Sequence, residues 1–166
     1  MSVATIRKTM LLVLTIICQA LVFNRIQLFG CVTPMICLYF PMRFKGNKPK
    51  WTILLWCFAL GLGVDIFSNT PGMSAASMTL IGLVQPYLAV IFKPRDSEEE
   101  DAPTMKLMGT ASFVYYTLIC VFIHNVVYFS LEWFSFFEPL LWLLSVVGST
   151  VLTVVLILII EHYRKR

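Results

Sequence analysis

Charged residues are scarce in this chain. Asp, Glu, Lys and Arg make up only 13% of its 166 residues, whereas hydrophobic residues make up 58%. A soluble globular domain typically carries about 25% charged residues, and the mean hydropathy of +0.82 departs from that class in the same direction. We therefore interpret residues 1–166 as a single transmembrane domain, since the length gives no strong case for two domains.

Signatures of catalysis and of metal binding are missing as well. The sequence has two histidines, His124 and His162, and its five cysteines form no Cys-x-x-Cys pair. It has no phosphate-binding glycine loop, no His-Glu-x-x-His motif and no paired carboxylates inside an apolar run. Its basic residues lie beside apolar runs rather than in a continuous stripe, which argues against nucleic-acid binding. We expect no enzyme activity and no cofactor, and we interpret the cysteines as small apolar side chains.

What the chain does have is six apolar runs, which predict an all-α polytopic membrane protein, a six-helix transmembrane bundle. The second run is short and contains Gly30 and Pro34. As a helix it would reach about 20 Å at ~1.5 Å per residue, less than the ~30 Å hydrocarbon core, so we expect a thin, kinked or re-entrant segment. The last run carries Ser145, Ser149 and Thr153 on one small face. The predicted spans cover residues 9–23, 28–40, 51–67, 72–92, 107–131 and 139–160.

The basic residues indicate how this bundle is oriented. With six spans, Arg25 is the single Lys or Arg on one side, and all the others lie at the two termini and in the loops after the second and fourth spans. The positive-inside rule then places both termini in the cytoplasm. A five-span arrangement would divide the basic clusters between the two sides, so we do not adopt it.

The corner between the third and fourth runs is the hardest stretch to explain by composition. Residues 61–72 read Gly-Leu-Gly-Val-Asp-Ile-Phe-Ser-Asn-Thr-Pro-Gly, and Asp65 is the one acidic residue embedded in an apolar run. A carboxylate at the centre of a membrane helix costs about 2.5–3.5 kcal/mol on insertion scales. We therefore expect Asp65 to face inward, near the outer membrane surface, and to be bonded inside the bundle. Gly61, one turn away on the same face, should let another helix approach.

Three partners for Asp65 remain open at this point. Arg25 is our first choice, because a permanently charged guanidinium lets the carboxylate stay ionised. His124 lies at a comparable depth in the fifth run and is the second candidate, although it could equally be a buried histidine with no function. The third possibility is a helix-end cap, in which Asp65 accepts hydrogen bonds from nearby backbone or hydroxyl groups such as Ser68.

This corner resembles the signature of the rod shape-determining protein MreD family. In that family a Gly-rich helix end leads into Asp-Ile-Phe-Ser, a short turn and a glycine that opens the next helix. The segment from Phe23 to Gly30, followed by Thr33 and Pro34, is similar to Bacteroidetes-type members, whereas Gln85 stands where we expect a basic residue before a proline. The matching corner residues are Gly61, Gly63, Asp65, Ile66, Phe67, Ser68 and Gly72.

The resemblance implies a non-enzymatic component of the bacterial inner membrane that helps maintain cell shape during cell-wall elongation. Such proteins work with the bitopic protein MreC, the actin-like MreB and a peptidoglycan glycosyltransferase–transpeptidase pair. The implied fold is similar to the substrate-binding subunits of energy-coupling-factor transporters. We expect a partner surface at the corner from Phe67 to Gly72 or on the adjoining small-residue face that includes Ala76.

The alternative is a small-molecule-binding subunit of a transporter. Such a protein needs polar groups that converge in a cavity. The candidates for those groups are Asp65, Arg25, Asn69, Gln19 and His124.

Overall fold

A computed structural model describes residues 3–22, 32–44, 49–94, 102–132 and 139–165, which form a helical bundle without a β-strand. A 3₁₀ turn at Ile36–Leu38 leads into the short helix α2. The helices are α1 (Val3–Leu21), α2 (Tyr39–Met42), α3 (Lys50–Ser68), α4 (Met73–Phe92), α5 (Met105–Met108), α6 (Thr110–Glu132) and α7 (Pro139–Lys165).

Four helices in the described part of the chain are long and apolar enough to cross a membrane, namely α3, α4, α6 and α7. They overlap the predicted third to sixth spans, but α6 begins at Thr110 after a break at Gly109, and α7 continues beyond residue 160 to Lys165. The apolar part of α1, Thr9–Leu21, is shorter, and would reach about 20 Å at ~1.5 Å per residue. The all-α membrane class is therefore supported, whereas the count of six transmembrane helices is not confirmed.

The predicted second span, 28–40, is not a continuous helix over its described part. Residues 32–35 are non-helical, and they are followed by the 3₁₀ turn and by the four residues of α2. Pro34 explains the difference, because proline lacks the N–H that a helix needs and restricts the residue before it to extended conformations. The observed backbone thus agrees better with the expected kinked or re-entrant segment than with the second helix predicted for the six-helix bundle.

Helices α3 and α4 are antiparallel and pack closely at two glycines. A Cβ atom on Gly61 would lie 2.5 Å from the carbonyl oxygen of Ser74 and 2.6 Å from the Cα of Ala75. On α4, a Cβ on Gly82 would lie 2.8 Å from the Sγ of Cys57. Small residues permit this approach of two backbones, so the helix that Gly61 was expected to admit is α4.

We expect Gly61→Ala to destabilise the protein by about 1–3 kcal/mol, the usual cost of overpacking. The added methyl group meets backbone atoms of α4, which cannot move without shifting the helix. Gly63→Ala is the matched control on the same helix, because its methyl group meets the tip of the Ile16 side chain, which can rotate away. Apparent melting temperatures in detergent measure both, and equal losses would contradict this account of α3–α4 packing.

Candidate functional site

Asp65 forms a hydrogen-bonded cap on the first turn of α4. Its Oδ1 accepts hydrogen bonds from the backbone N–H of Ser74 at 2.9 Å and from the hydroxyl of Thr70 at 3.0 Å. Its Oδ2 accepts from the backbone N–H of Ala75 at 2.9 Å. The carboxylate is buried and faces the bundle, as its solvation cost requires.

The backbone of the turn makes this cap necessary. Asn69 ends α3 in the left-handed conformation with φ of 57°, and Gly72, the N-cap residue of α4, has φ of 85°. Gly72 has no side chain to accept from the free N–H groups that every helix presents at its start. Asp65 supplies the missing acceptor from the preceding helix, and its negative charge is also favourable at the positive end of the α4 dipole.

The structure thus gives Asp65 the third of the three predicted uses, with different donors. The cap bonds come from Thr70, Ser74 and Ala75, whereas Ser68 was the donor named from the sequence. Arg25 lies outside the described residues, so its pairing with Asp65 stays a prediction.

Around the cap, the corner presents an apolar outer surface. Phe67 is 64% exposed, and Gly72 and Ala76 are exposed beside it. The neighbouring small residues Ser74 and Ala75 are instead buried against α3. The small-residue face predicted for the fourth helix is therefore divided: one side packs within the bundle, and Ala76 points outward.

His124 is fully buried on α6 and is not a partner of Asp65 in this structure. Its ring nitrogens have no partner at full hydrogen-bond geometry, although the backbone of Ser77 on α4 approaches the ring closely enough for a weak polar contact. The ring stacks on Tyr128, with 6.0 Å between the ring centroids. The next residue, Asn125, donates a hydrogen bond to the hydroxyl of Thr150 at 3.0 Å, which links α6 to α7.

Further buried polar atoms on α4 and α6 have no hydrogen-bond partner: Gln85 Oε1, Thr117 Oγ1 and Asn125 Oδ1. An unpartnered buried polar group costs about 1–3 kcal/mol. Thr117 and His124 are separated by about 10 Å along α6 at ~1.5 Å per residue. Their unpartnered polar atoms are therefore two helical turns apart. They are the nearest approach in the described chain to the polar lining that a ligand would need.

We expect His124→Leu to leave stability unchanged or to raise the apparent melting temperature by about 2–4 °C, the usual shift for ~1 kcal/mol in a chain of this size. The leucine removes two unsatisfied nitrogens and keeps most of the apolar volume. Val121→Ala is the control: Val121 is one turn away and fully buried, so its truncation leaves a cavity and should lower the apparent melting temperature. A large loss for His124→Leu would mean that the ring nitrogens bind a group in the native protein.

A second buried network, which sequence reasoning missed, holds the segment of residues 32–38, which comprises the non-helical residues 32–35 and the 3₁₀ turn. The side chain of Gln19 on α1 bonds this backbone twice. Its Nε2 donates to the carbonyl oxygen of Pro34 at 2.9 Å, and its Oε1 accepts from the N–H of Cys37 at 3.2 Å. The amide of Gln19 therefore takes the place of a neighbouring peptide group.

Helix α7 supplies the remaining acceptors to this segment. The N–H of Thr33 donates to Ser149 Oγ and the N–H of Met35 to Thr153 Oγ1, both at 3.0 Å. Four residues of a helix advance about 6 Å, and two residues of an extended chain about 6.6 Å. The i, i+4 hydroxyls of α7 therefore match the spacing of alternate N–H groups in this non-helical backbone. Non-helical backbone at membrane depth is tolerated only where such bonds are buried in protein.

The small face at Ser145, Ser149 and Thr153 was the sequence signal for this contact. All three residues are buried, but Ser145 donates to the carbonyl of Leu141 in its own helix. The sequence thus predicted that these three residues lie on one face of the last helix, but not which segment would pack against that face.

No group of three or more His, Cys, Asp or Glu side chains that could hold a metal ion occurs among the residues that the structure describes. No family model, curated protein or solved structure matches the chain. The functional argument therefore depends on the geometry of these two networks and of the surfaces that they leave exposed.

Proposed function

We propose that the chain is a non-enzymatic membrane component of the bacterial cell-wall elongation complex, similar to MreD. In this role it scaffolds MreC, MreB and peptidoglycan synthases and helps to maintain cell shape. The observation that supports the proposal is the corner between α3 and α4. The signature residues there, Gly61 and Asp65, have structural tasks in closing the corner, and this rigid turn presents Phe67 and Ala76 outward.

The use of the polar residues favours a scaffold over a ligand-binding subunit. Asp65 is occupied by the cap on α4, and Gln19 is occupied by the backbone of Pro34 and Cys37. Two of the candidate ligand-binding groups therefore already serve the fold. A scaffold, in contrast, needs only a stable surface at membrane depth, which the exposed face of the corner offers.

In this proposal the protein lies in the inner membrane with both termini in the cytoplasm. The positions of two described basic side chains indicate that the basic segments lie at the same end of the bundle. Lys50, at the start of α3, donates to the Tyr87 hydroxyl near the end of α4 at 2.9 Å. Arg164, near the end of α7, donates to the hydroxyl of Tyr39 at 3.1 Å. The positive-inside rule assigns this basic end to the cytoplasm.

Capture of MreC from mild detergent tests the scaffold and locates its surface. We expect Ala76→Leu to reduce capture several-fold without affecting membrane insertion, because the larger side chain stands where another helix would pack. Val90→Leu is the matched control: Val90 is exposed on the same helix, toward its other end. Unchanged capture by Ala76→Leu would place the interface elsewhere, and failure of the unaltered protein to capture MreC would refute the proposal.

The second candidate is the small-molecule-binding transporter subunit. The unpartnered polar atoms of Gln85, Thr117 and His124 are the observation that favours it. Mass spectrometry of the purified protein distinguishes the two functions, since a binding subunit should carry a small polar molecule that is absent from Thr117→Val. A scaffold should carry MreC and no such molecule.

A further inference from the structure

The basic end of the bundle contains a compact polar cluster around Tyr39. The Tyr39 hydroxyl donates to Glu161 Oε2 at 2.6 Å, and Arg164 Nη1 donates to the same hydroxyl at 3.1 Å. Arg164 Nη1 also lies 3.5 Å from Glu161 Oε2, while Glu161 itself is buried. The cluster joins the start of α2 to the last turns of α7 and fixes the position of both side chains that bond to Tyr39.

Arg43 faces the same tyrosine ring. Its guanidinium carbon lies 5.6 Å from the ring centroid, in the geometry of a cation–π contact. Its Nε is buried and makes no hydrogen bond, and among the described residues no carboxylate forms an ion pair with it. Arg43 therefore faces the Tyr39 ring, while Arg164 bonds to the Tyr39 hydroxyl and pairs with Glu161. Among the described residues, this cluster thus combines two guanidinium groups with one carboxyl group.

The surroundings place this cluster at the level of the lipid headgroups. Trp51 and Tyr87 are largely exposed at the same end of the bundle, as in the aromatic belts at membrane interfaces. Met42 and Phe44, on either side of Arg43, are buried in the bundle. An arginine at a membrane interface can reach the phosphate groups of the lipid headgroups.

We propose that Arg43 and Arg164 bind the phosphate of an anionic glycerophospholipid. Guanidinium groups present fixed pairs of N–H donors that match phosphate oxygens, and Tyr39 contacts both groups, one over its ring and one at its hydroxyl. Glu161 fixes Arg164 through Tyr39 and compensates for only one of the two charges. This inference is independent of the proposed scaffold function, because it uses neither the corner nor any protein partner.

Native mass spectrometry of the full-length protein, incubated with mixed micelles containing phosphatidylglycerol or phosphatidylcholine, tests the site. We expect preferential retention of phosphatidylglycerol. Arg43→Gln should weaken this retention about fivefold, because it removes one of the two guanidinium groups that bond to the phosphate. Arg164→Gln should act similarly, and Arg43→Lys should retain part of the binding because it keeps the charge but loses the paired donors.

Lys50→Gln is the matched control, because Lys50 is a cation at the same end that contacts Tyr87 rather than Tyr39. It should leave retention within twofold of the unaltered protein. Equal losses in all three glutamine variants would overturn the proposal in favour of general surface charge, and unchanged retention in both arginine variants would overturn it outright. Glycerol 3-phosphate at millimolar concentration should not displace the lipid; displacement would mean that the cluster is a site for soluble phosphate esters.

Discussion

Replacing Asp65 with leucine should cause the largest loss of stability of any substitution considered for this protein. The leucine would leave the N–H groups of Ser74 and Ala75 buried without an acceptor. At about 1–3 kcal/mol for each unsatisfied group, the expected cost is about 2–6 kcal/mol. Asp65→Asn keeps one carbonyl oxygen as an acceptor and should lose clearly less. Unfolding in detergent, followed by helical circular dichroism, measures both variants.

A double-mutant cycle separates the cap from the ion pair first expected for Asp65. The cap already gives both carboxylate oxygens hydrogen-bond donors. We therefore expect the effects of Asp65→Leu and Arg25→Leu to add within about 0.5 kcal/mol, as they do for independent sites. A coupling well above that value, or partial rescue of Asp65→Leu by Arg25→Leu, would restore the ion pair. Equal losses for Asp65→Leu and Asp65→Asn would contradict the cap.

The burial of Asp65 was predictable, but its partners were not. The cost of a carboxylate in lipid predicts that Asp65 faces protein, and the structure confirms that it does. Glycine is a common N-cap residue, so Gly72 gave no local indication that α4 takes an acceptor from the preceding helix. The left-handed turn at Asn69 and Gly72 brings the carboxylate of one helix to the start of the next, and its geometry follows from the fold rather than from a motif.

For the second apolar run, too, the sequence predicted part of the structure but not the residues that stabilise it. Its short length and Pro34 predicted that it could not be an ordinary transmembrane helix. The extended conformation was beyond prediction, because the hydroxyls that stabilise it, on Ser149 and Thr153, lie 116 and 118 residues away from their donors along the chain. The local sequence shows only that the backbone N–H and C=O groups of this segment cannot pair within a regular helix. The hydrogen bonds that satisfy these groups come from residues distant in the sequence.

Gln19→Leu should produce the second-largest loss, because one side chain holds two backbone groups of the segment of residues 32–38. Without the amide, the carbonyl of Pro34 and the N–H of Cys37 lose the Gln19 bonds in an apolar interior. Each such group costs about 1–3 kcal/mol, so a total of 2 kcal/mol or more is expected at approximately equal side-chain volume. The loss should appear in the apparent melting temperature in detergent.

Two further substitutions show whether the loss arises from the segment of residues 32–38 rather than from α1 itself. Thr153→Val removes only the acceptor for Met35 N–H and should cost about 1–3 kcal/mol. Thr15→Val, on the exposed side of α1, removes a hydroxyl that bonds only to the carbonyl of Leu11 in its own helix, so it should be nearly neutral. If Gln19→Leu costs no more than Thr15→Val, the buried amide does not support the segment, and the backbone of residues 32–38 would need another source of stability.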